Sequence, residues 1–306
     1  MTTTRMNTTI TLSPEIQQAR DDRQPIVALE STIITHGMPY PVNRDTAMEV
    51  EANVRRHGAI PATIAVIDGE LRAGLDASTI DWLAQQSNVM KLSRADIAFA
   101  VSAKRNGSTT VAATMIGAHE AGICVFATGG IGGVHRGAEA TFDVSADLHE
   151  FAKTPVHVVS AGAKAILDIP KTLEVLETLG VPVVTLGQEN LPAFWSCDSG
   201  IASPLHVASV TDIAAFIRAR EALQLSGGVL IGNPVPKDAE IPRTVMEKTI
   251  ATAIAESDAA GVTGKALTPW LLGRIVELTN GESLTTNKRL ILNNAAVAAQ
   301  LAVALR

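Results

Sequence analysis

The sequence predicts an α/β protein of three layers, α/β/α, with a largely parallel central sheet, one hairpin and a helical C-terminal third. Two observations carry that expectation. Short runs of Val, Ile, Ala and Leu alternate with stretches of helical spacing through most of the 306 residues, the pattern of parallel strands covered by helices. Apolar residues make up 46% of the chain and charged residues 18%, enough for a large core and too apolar for a disordered polypeptide. Length alone would allow two domains. No Gly-, Pro- or Ser-rich linker and no internal repeat divides the chain, so one domain over residues 24–306 is expected behind a loosely ordered, Thr-rich leader at residues 1–23.

The first strand is expected over residues 26–29, ending in Glu30-Ser31-Thr32. Asn43 suits the cap of a helix reaching Arg56, with Ala47, Val50 and Val54 on one face and Gly58 as its stop. Residues 60–67 read as a strand, Asp68-Gly69 as a tight turn, and 70–75 as the return strand. A helix from about Ser78 precedes Lys91-Leu92-Ser93-Arg94, and 97–101 reads as a further strand. Residues 109–121 have helical spacing and stop at Gly122, and 123–127 form a buried strand feeding Thr128-Gly129-Gly130-Ile131-Gly132-Gly133. A short helix follows Asp147, then a strand at 156–160 and the loop Ala161-Gly162-Ala163-Lys164. Pro170 fits the first turn of a helix carrying Leu173, Leu176 and Leu179. Strands at 181–186 and 229–231 follow, then Ala-rich helices at 243–260, 269–279 and 287–305.

Lys and Arg number 25 against 31 Asp and Glu, a net charge of −6, so no surface for a nucleic acid is expected. Cys124 and Cys197 form no CxxC, which argues against a disulfide framework and a zinc cluster. No apolar run approaches the roughly 18 residues of a membrane span. The expectation is a cytoplasmic protein that handles small molecules.

The Gly-rich turn can bend through positive φ and turn several N–H groups inward as an anion nest, or can simply be a tight packing turn. It is not a dinucleotide fingerprint: Gly130 and Gly132 fit, but the third glycine position holds His135. His135, Arg136, Glu139, Asp143 and Asp147 follow in a polar segment between apolar strands, where open α/β sheets bind ligands. Asp143 and Asp147 suit either a hard cation or helix capping. Lys164 lies among Ala161, Gly162, Ala163 and Ala165. Apolar neighbours disfavour an ammonium, and only the neutral amine attacks carbon; a surface lysine at a helix start is the competing reading. Glu30 ends a buried strand, where burial favours the protonated acid. His36, Lys91, Arg94 and the pair Asn293-Asn294 complete the candidates. The cations suit a phosphate or an ordinary surface pair. The amides suit a uracil-like edge or a backbone tie.

Taken together these segments become recognisable. Residues 28–39 (ALESTIITHGMP), 106–115 (NGSTTVAATM), 126–137 (FATGGIGGVHRG), 145–148 (SADL) and 160–164 (SAGAK) resemble, in order, the signatures of pseudouridine-5′-phosphate glycosidases, the indigoidine synthase A-like family. Gly232-Asn233-Pro234 and Asn293-Asn294-Ala295 extend the resemblance toward the C-terminus. It implies reversible cleavage of the C–C bond between uracil C5 and ribose C1′, giving uracil and ribose 5-phosphate. By the same resemblance Lys164 forms an imine with the opened ribose and Glu30 is the acid. Asp143 holds Mn²⁺, with Mg²⁺ equally suited, and Lys91, Val111, His135, Ser145, Ala146 and Asp147 contact substrate. A homotrimer is implied too. Two rivals stand beside this reading: a Schiff-base aldolase acting on a sugar phosphate, and a non-catalytic binding protein for which Lys164 is dispensable.

Overall fold

The computed structural model describes residues 10–262 and 264–306. Among them, eleven strands join one sheet. One half holds β1 (Ile10–Leu12), β2 (Ile26–Leu29), β3 (Ile60–Ile67) and β4 (Glu70–Ala73), with β5 (Met90–Leu92) and β6 (Gly107–Thr109) attached beside β3. β7 (Val125–Ala127) leads into the other half. β8 (Val134–His135) leaves the sheet to pair with β10 (Leu167–Asp168), while β9 (His157–Ser160), β11 (Val183–Leu186), β12 (Leu205–Val207) and β13 (Leu230–Gly232) complete it. The order is β1-β4-β3-β2-β7-β9-β13-β11-β12. From β3 to β12 every neighbour along this path is parallel, so the loops after β2, β7, β9 and β13 open on one edge. The expected hairpin is β3–β4, antiparallel, and Asp68 (φ 52°) and Gly69 (φ 80°) take the two left-handed positions such a turn requires.

Helices cover both faces. In chain order they are α1 (Pro14–Asp21), α2 (Val42–Arg56), α3 (Ala77–Ala84), α4 (Arg94–Ser102), α5 (Val111–Glu120), α6 (Ala138–Thr141), α7 (Ala146–Lys153) and α8 (Ile169–Thr178). Then come α9 (Val210–Ala222), α10 (Arg243–Ala259), α11 (Leu267–Leu278) and α12 (Glu282–Ala304). The alanines of α12 explain its place. Ala295, Ala298 and Ala299 are fully buried, and such short side chains let the helix lie close over β2, β7 and β9 between α2 and α9.

Three expectations are corrected. The leader is ordered from residue 10 onward: β1 pairs with β4, and α1 buries Ile16 and Ala19. Residues 1–9 lie outside the described residues. The stretch 97–101 belongs to α4, which opens with a Ser93–Asp96 capping box. Its Ala100 is buried while Phe99 is 58% exposed, one inward face instead of a strand buried on both sides. Asn43 does not cap α2. It sits inside the first turn, buried, and its amide donates to the carbonyls of Ile34 and Ala84.

Candidate active site

The segments after β2, β7 and β9 converge on one cavity of about 230 Å³. Glu30 enters it directly from β2, and its carboxylate accepts hydrogen bonds from Thr32 Oγ1 (2.6 Å) and Thr128 Oγ1. The Gly-rich turn after β7 and the Lys164 loop after β9 are joined along their backbones. Ala161 N–H donates to Gly129 O, Ile131 N–H to Gly162 O, and Lys164 N–H to Ile131 O, at 2.9–3.1 Å. Lys164 therefore leaves a fixed loop into the cavity, flanked by buried Ala163 and Ala165. Among the described residues its amine makes no hydrogen bond or ion pair.

The glycines serve close approach. Gly129, Gly130, Gly132 and Gly133 do not adopt positive φ, against the expectation of a left-handed nest. A Cβ on Gly130 would meet the Phe194 ring at 2.7 Å, and one on Gly132 would meet the Asp147 carboxylate at 2.7 Å. Asp147 is buried at the cavity wall, and each oxygen holds one backbone donor: Oδ1 accepts from Ala112 N–H (2.9 Å) and Oδ2 from Gly132 N–H (2.8 Å). It thus ties the first turn of α5 to the Gly-rich turn. Ser145 caps α7 by accepting from Asp147 N–H and also faces the cavity.

One part of the lining is polar: Lys91 from β5, Ser93, and Thr110 with Val111 at the start of α5. Among the described residues Thr110 Oγ1 is buried without a partner, beside the start of α5, where Ala112 N–H is already held by Asp147. Another part is apolar: Ile33, Phe194, Pro269, Leu272, Leu290 and Ile291. Asn287, on α12, lines this cavity with an amide whose oxygen is buried and has no partner among the described residues. His135 lines it too; burial pushes its imidazole below the usual value, opposed by Asp143 and reinforced by Lys164 and Lys91.

The other candidates lie elsewhere. Asp143 and Ala146 are outside the cavity lining; the Asp143 side chain is 41% exposed, 4.0 Å from His135 Nε2. Arg94 is paired with Glu150 at 2.6 and 2.7 Å. Asn293 and Asn294 tie backbone: they donate to Pro234 O and Thr128 O, and Asn294 also accepts from Asn233. Among the described residues no three His, Cys, Asp or Glu side chains gather as a metal cage. A half-exposed carboxylate beside an imidazole fits a hard dication that keeps most of its waters, and does not fit a dehydrated one. The residues the sequence reading left out are Thr32, Thr128, Phe194 and Asn287. The two threonines had a signal in their place beside Glu30 and at the end of β7; Phe194 and Asn287 arrive through tertiary packing.

Fold and site together define an α/β/α protein with a cavity at the ends of its parallel strands, lined by an amine and a carboxylate among other polar groups. Residues 15–304 match the family described as indigoidine synthase A like protein. Over 298 residues the chain is 61% identical to a pseudouridine-5′-phosphate glycosidase of Paracoccus denitrificans, covering 97% of this chain and 98% of that protein. A second relative with the same name, from Methylobacterium nodulans, is 60% identical over 96% of this chain and 87% of its own. Among solved structures, the prealnumycin C-glycosynthase AlnA in complex with ribulose 5-phosphate aligns with a TM-score of 0.89 at 38% identity, covering 97% and 96% of the two chains. An indigoidine synthase A-like protein of Thermotoga maritima aligns equally well at 30% identity over 99% of both. The chain belongs to the indigoidine synthase A like family.

Proposed function

We propose that this enzyme reversibly cleaves the C-glycosidic bond of pseudouridine 5′-phosphate to uracil and ribose 5-phosphate, through an imine between Lys164 and the opened sugar. The observation that carries the reading is the pairing in one cavity of an unpaired Lys164 amine with a Glu30 carboxylate held by two threonine hydroxyls. Relatives of 60% identity and more bear the name of this activity, and a structural relative holds a five-carbon sugar phosphate.

A C–C glycoside offers no heteroatom leaving group on the base. Glu30 delivers a proton to O4′ as C1′–O4′ breaks, and the Lys164 amine adds to C1′ and gives up a proton to the Glu30 carboxylate left behind. Once uracil C5 has taken a proton, the C1′–C5 electron pair returns to the base while the nitrogen lone pair forms C1′=N. Water then hydrolyses the imine to ribose 5-phosphate and restores the amine. The start of α5, with Thr110, Lys91 and Ser145, suits the phosphate. The apolar side with the Asn287 amide suits the flat base and its lactam edge. Asp143 and His135 are the residues that would hold Mn²⁺ or Mg²⁺, which when bound supplies positive charge beside the phosphorylated substrate. A homotrimer in the cytoplasm belongs to the same reading, and sedimentation at three times the chain mass checks the assembly.

Borohydride treatment with ribose 5-phosphate is the direct test. Intact-protein mass should rise by one reduced sugar-phosphate adduct in the wild type and stay unchanged in Lys164→Ala. No adduct on the wild type, with no uracil released from pseudouridine 5′-phosphate, would sink the reading. An adduct without uracil release would favour the aldolase.

A further inference from the structure

His36 lines the cavity from a single π-turn, Ile33–Gly37, which follows β2. Its ring is held by a chain of hydroxyls. Nδ1 lies 2.6 Å from Thr35 Oγ1 and 3.2 Å from Ser108 Oγ. The Thr35 hydroxyl donates its one proton to Ser108 Oγ at 2.7 Å, and Ser108 Oγ in turn reaches Met90 O at 3.5 Å. Nδ1–H donating to Thr35 Oγ1 is the arrangement that leaves the Thr35 proton for Ser108. A chain from Nδ1–H to Thr35 to Ser108 to a main-chain carbonyl corresponds to the tautomer in which Nε2 carries the lone pair. The Nδ1 edge faces these hydroxyls, so the Nε2 edge remains for the cavity. Burial and the Lys91 charge both push the imidazole below its usual value, which keeps that lone pair free at neutral pH.

A neutral acceptor is a poor partner for a phosphate or a carboxylate and a good one for an N–H. It shares its turn with the apolar lining residue Ile33, and this turn packs against α11, which supplies Pro269 and Leu272. A base attached through C5 differs from one attached through nitrogen in one respect that such an acceptor reads: N1 still carries its hydrogen. We infer that His36 Nε2 accepts the N1–H of the uracil ring and thereby selects a C-linked over an N-linked pyrimidine nucleotide. The inference rests on the pseudouridine 5′-phosphate reading above.

The test compares kcat/KM for pseudouridine 5′-phosphate, its N1-methyl derivative and its N3-methyl derivative, in the wild type and in His36→Phe. Phenylalanine keeps the ring and removes the acceptor. In the wild type the N1-methyl compound should be poorer than the parent by roughly 10- to 100-fold. In His36→Phe the parent should fall to the level of the N1-methyl compound, so that their ratio approaches one, and the N3-methyl ratio should be unchanged. If the variant keeps the wild-type ratio, rejection of the methyl group is steric and the inference fails. A wild type that turns over none of the three compounds indicts the function itself and leaves the two failures distinguishable. Should His36→Phe not fold, ¹⁵N spectra of the wild type decide. An unprotonated Nε2 whose resonance moves on adding uracil and not on adding 1-methyluracil is expected; a protonated Nε2, or the same response to both, overturns the assignment.

Discussion

Both oxygens of Asp147 hold backbone N–H groups from two different segments. Asp147 lines the cavity, where a substrate contact is expected, and it also positions Gly132 and the first turn of α5. Charge-assisted hydrogen bonds of this kind are worth more than neutral ones, and leaving a buried N–H facing a second donor is costly. Asp147→Asn keeps the shape but can offer only one oxygen. It should lose about 2–3 kcal/mol of stability, seen as a lower midpoint in thermal denaturation, together with a fall in kcat. Full stability in the variant would show that the two contacts carry little.

At the scale of elements, the Gly-rich turn is built for contact with its neighbours. Gly130→Ala forces a methyl against Phe194, itself part of the cavity lining, and overpacking of this kind costs about 1–3 kcal/mol. The ring's displacement should also lower kcat/KM. Gly273 supplies the control: it lies within α11 with nothing within 4 Å of an added Cβ, so Gly273→Ala should raise stability by about 0.5–1 kcal/mol and leave kcat/KM alone. Equal effects at the two positions would refute the packing account of the turn. The same contrast explains what was legible. β2, β7 and β9 declare themselves because strands buried on both faces must be apolar, and the loops after them carry Glu30, the glycines and Lys164. α4 was misread because a five-residue apolar run fits a strand or a helix alike; only the Ser93–Asp96 box and the exposure of Phe99 decide it. Asn287 was missed because α12 begins at Glu282, a turn and more before the expected start, and its amide is brought to the site by packing over the sheet.

Over the whole molecule, two buried groups on different elements oppose each other in the dependence of stability on pH. Burial pushes the Glu51 carboxyl of α2 up to about 7, against the lowering effect of the Thr63 hydroxyl and Arg55. The unfolded chain releases that proton near 4.5, so from there to about 7 the folded state binds more protons and stability falls as pH rises. Burial, helped by Arg220, pushes His157 of β9 down to about 4, and its Nδ1 has no partner. The unfolded chain takes up that proton near 6.5, so stability falls as pH drops from 6.5 to about 4. The two effects overlap between 4.5 and 6.5 with opposite signs. His36 and His135, also lowered by burial, act in the His157 direction, whereas the surface carboxylates lowered by ion pairs, such as Glu15 and Glu256, act below 4.5. Glu51→Gln removes the first effect and keeps an acceptor for Thr63. Its advantage over the wild type in urea midpoint should therefore grow as pH rises from 4.5 to 7 and then level off. His157→Phe should show its own advantage growing as pH falls from 6.5 to 4. Parallel pH profiles for wild type and both variants would mean that neither group changes its proton affinity on folding.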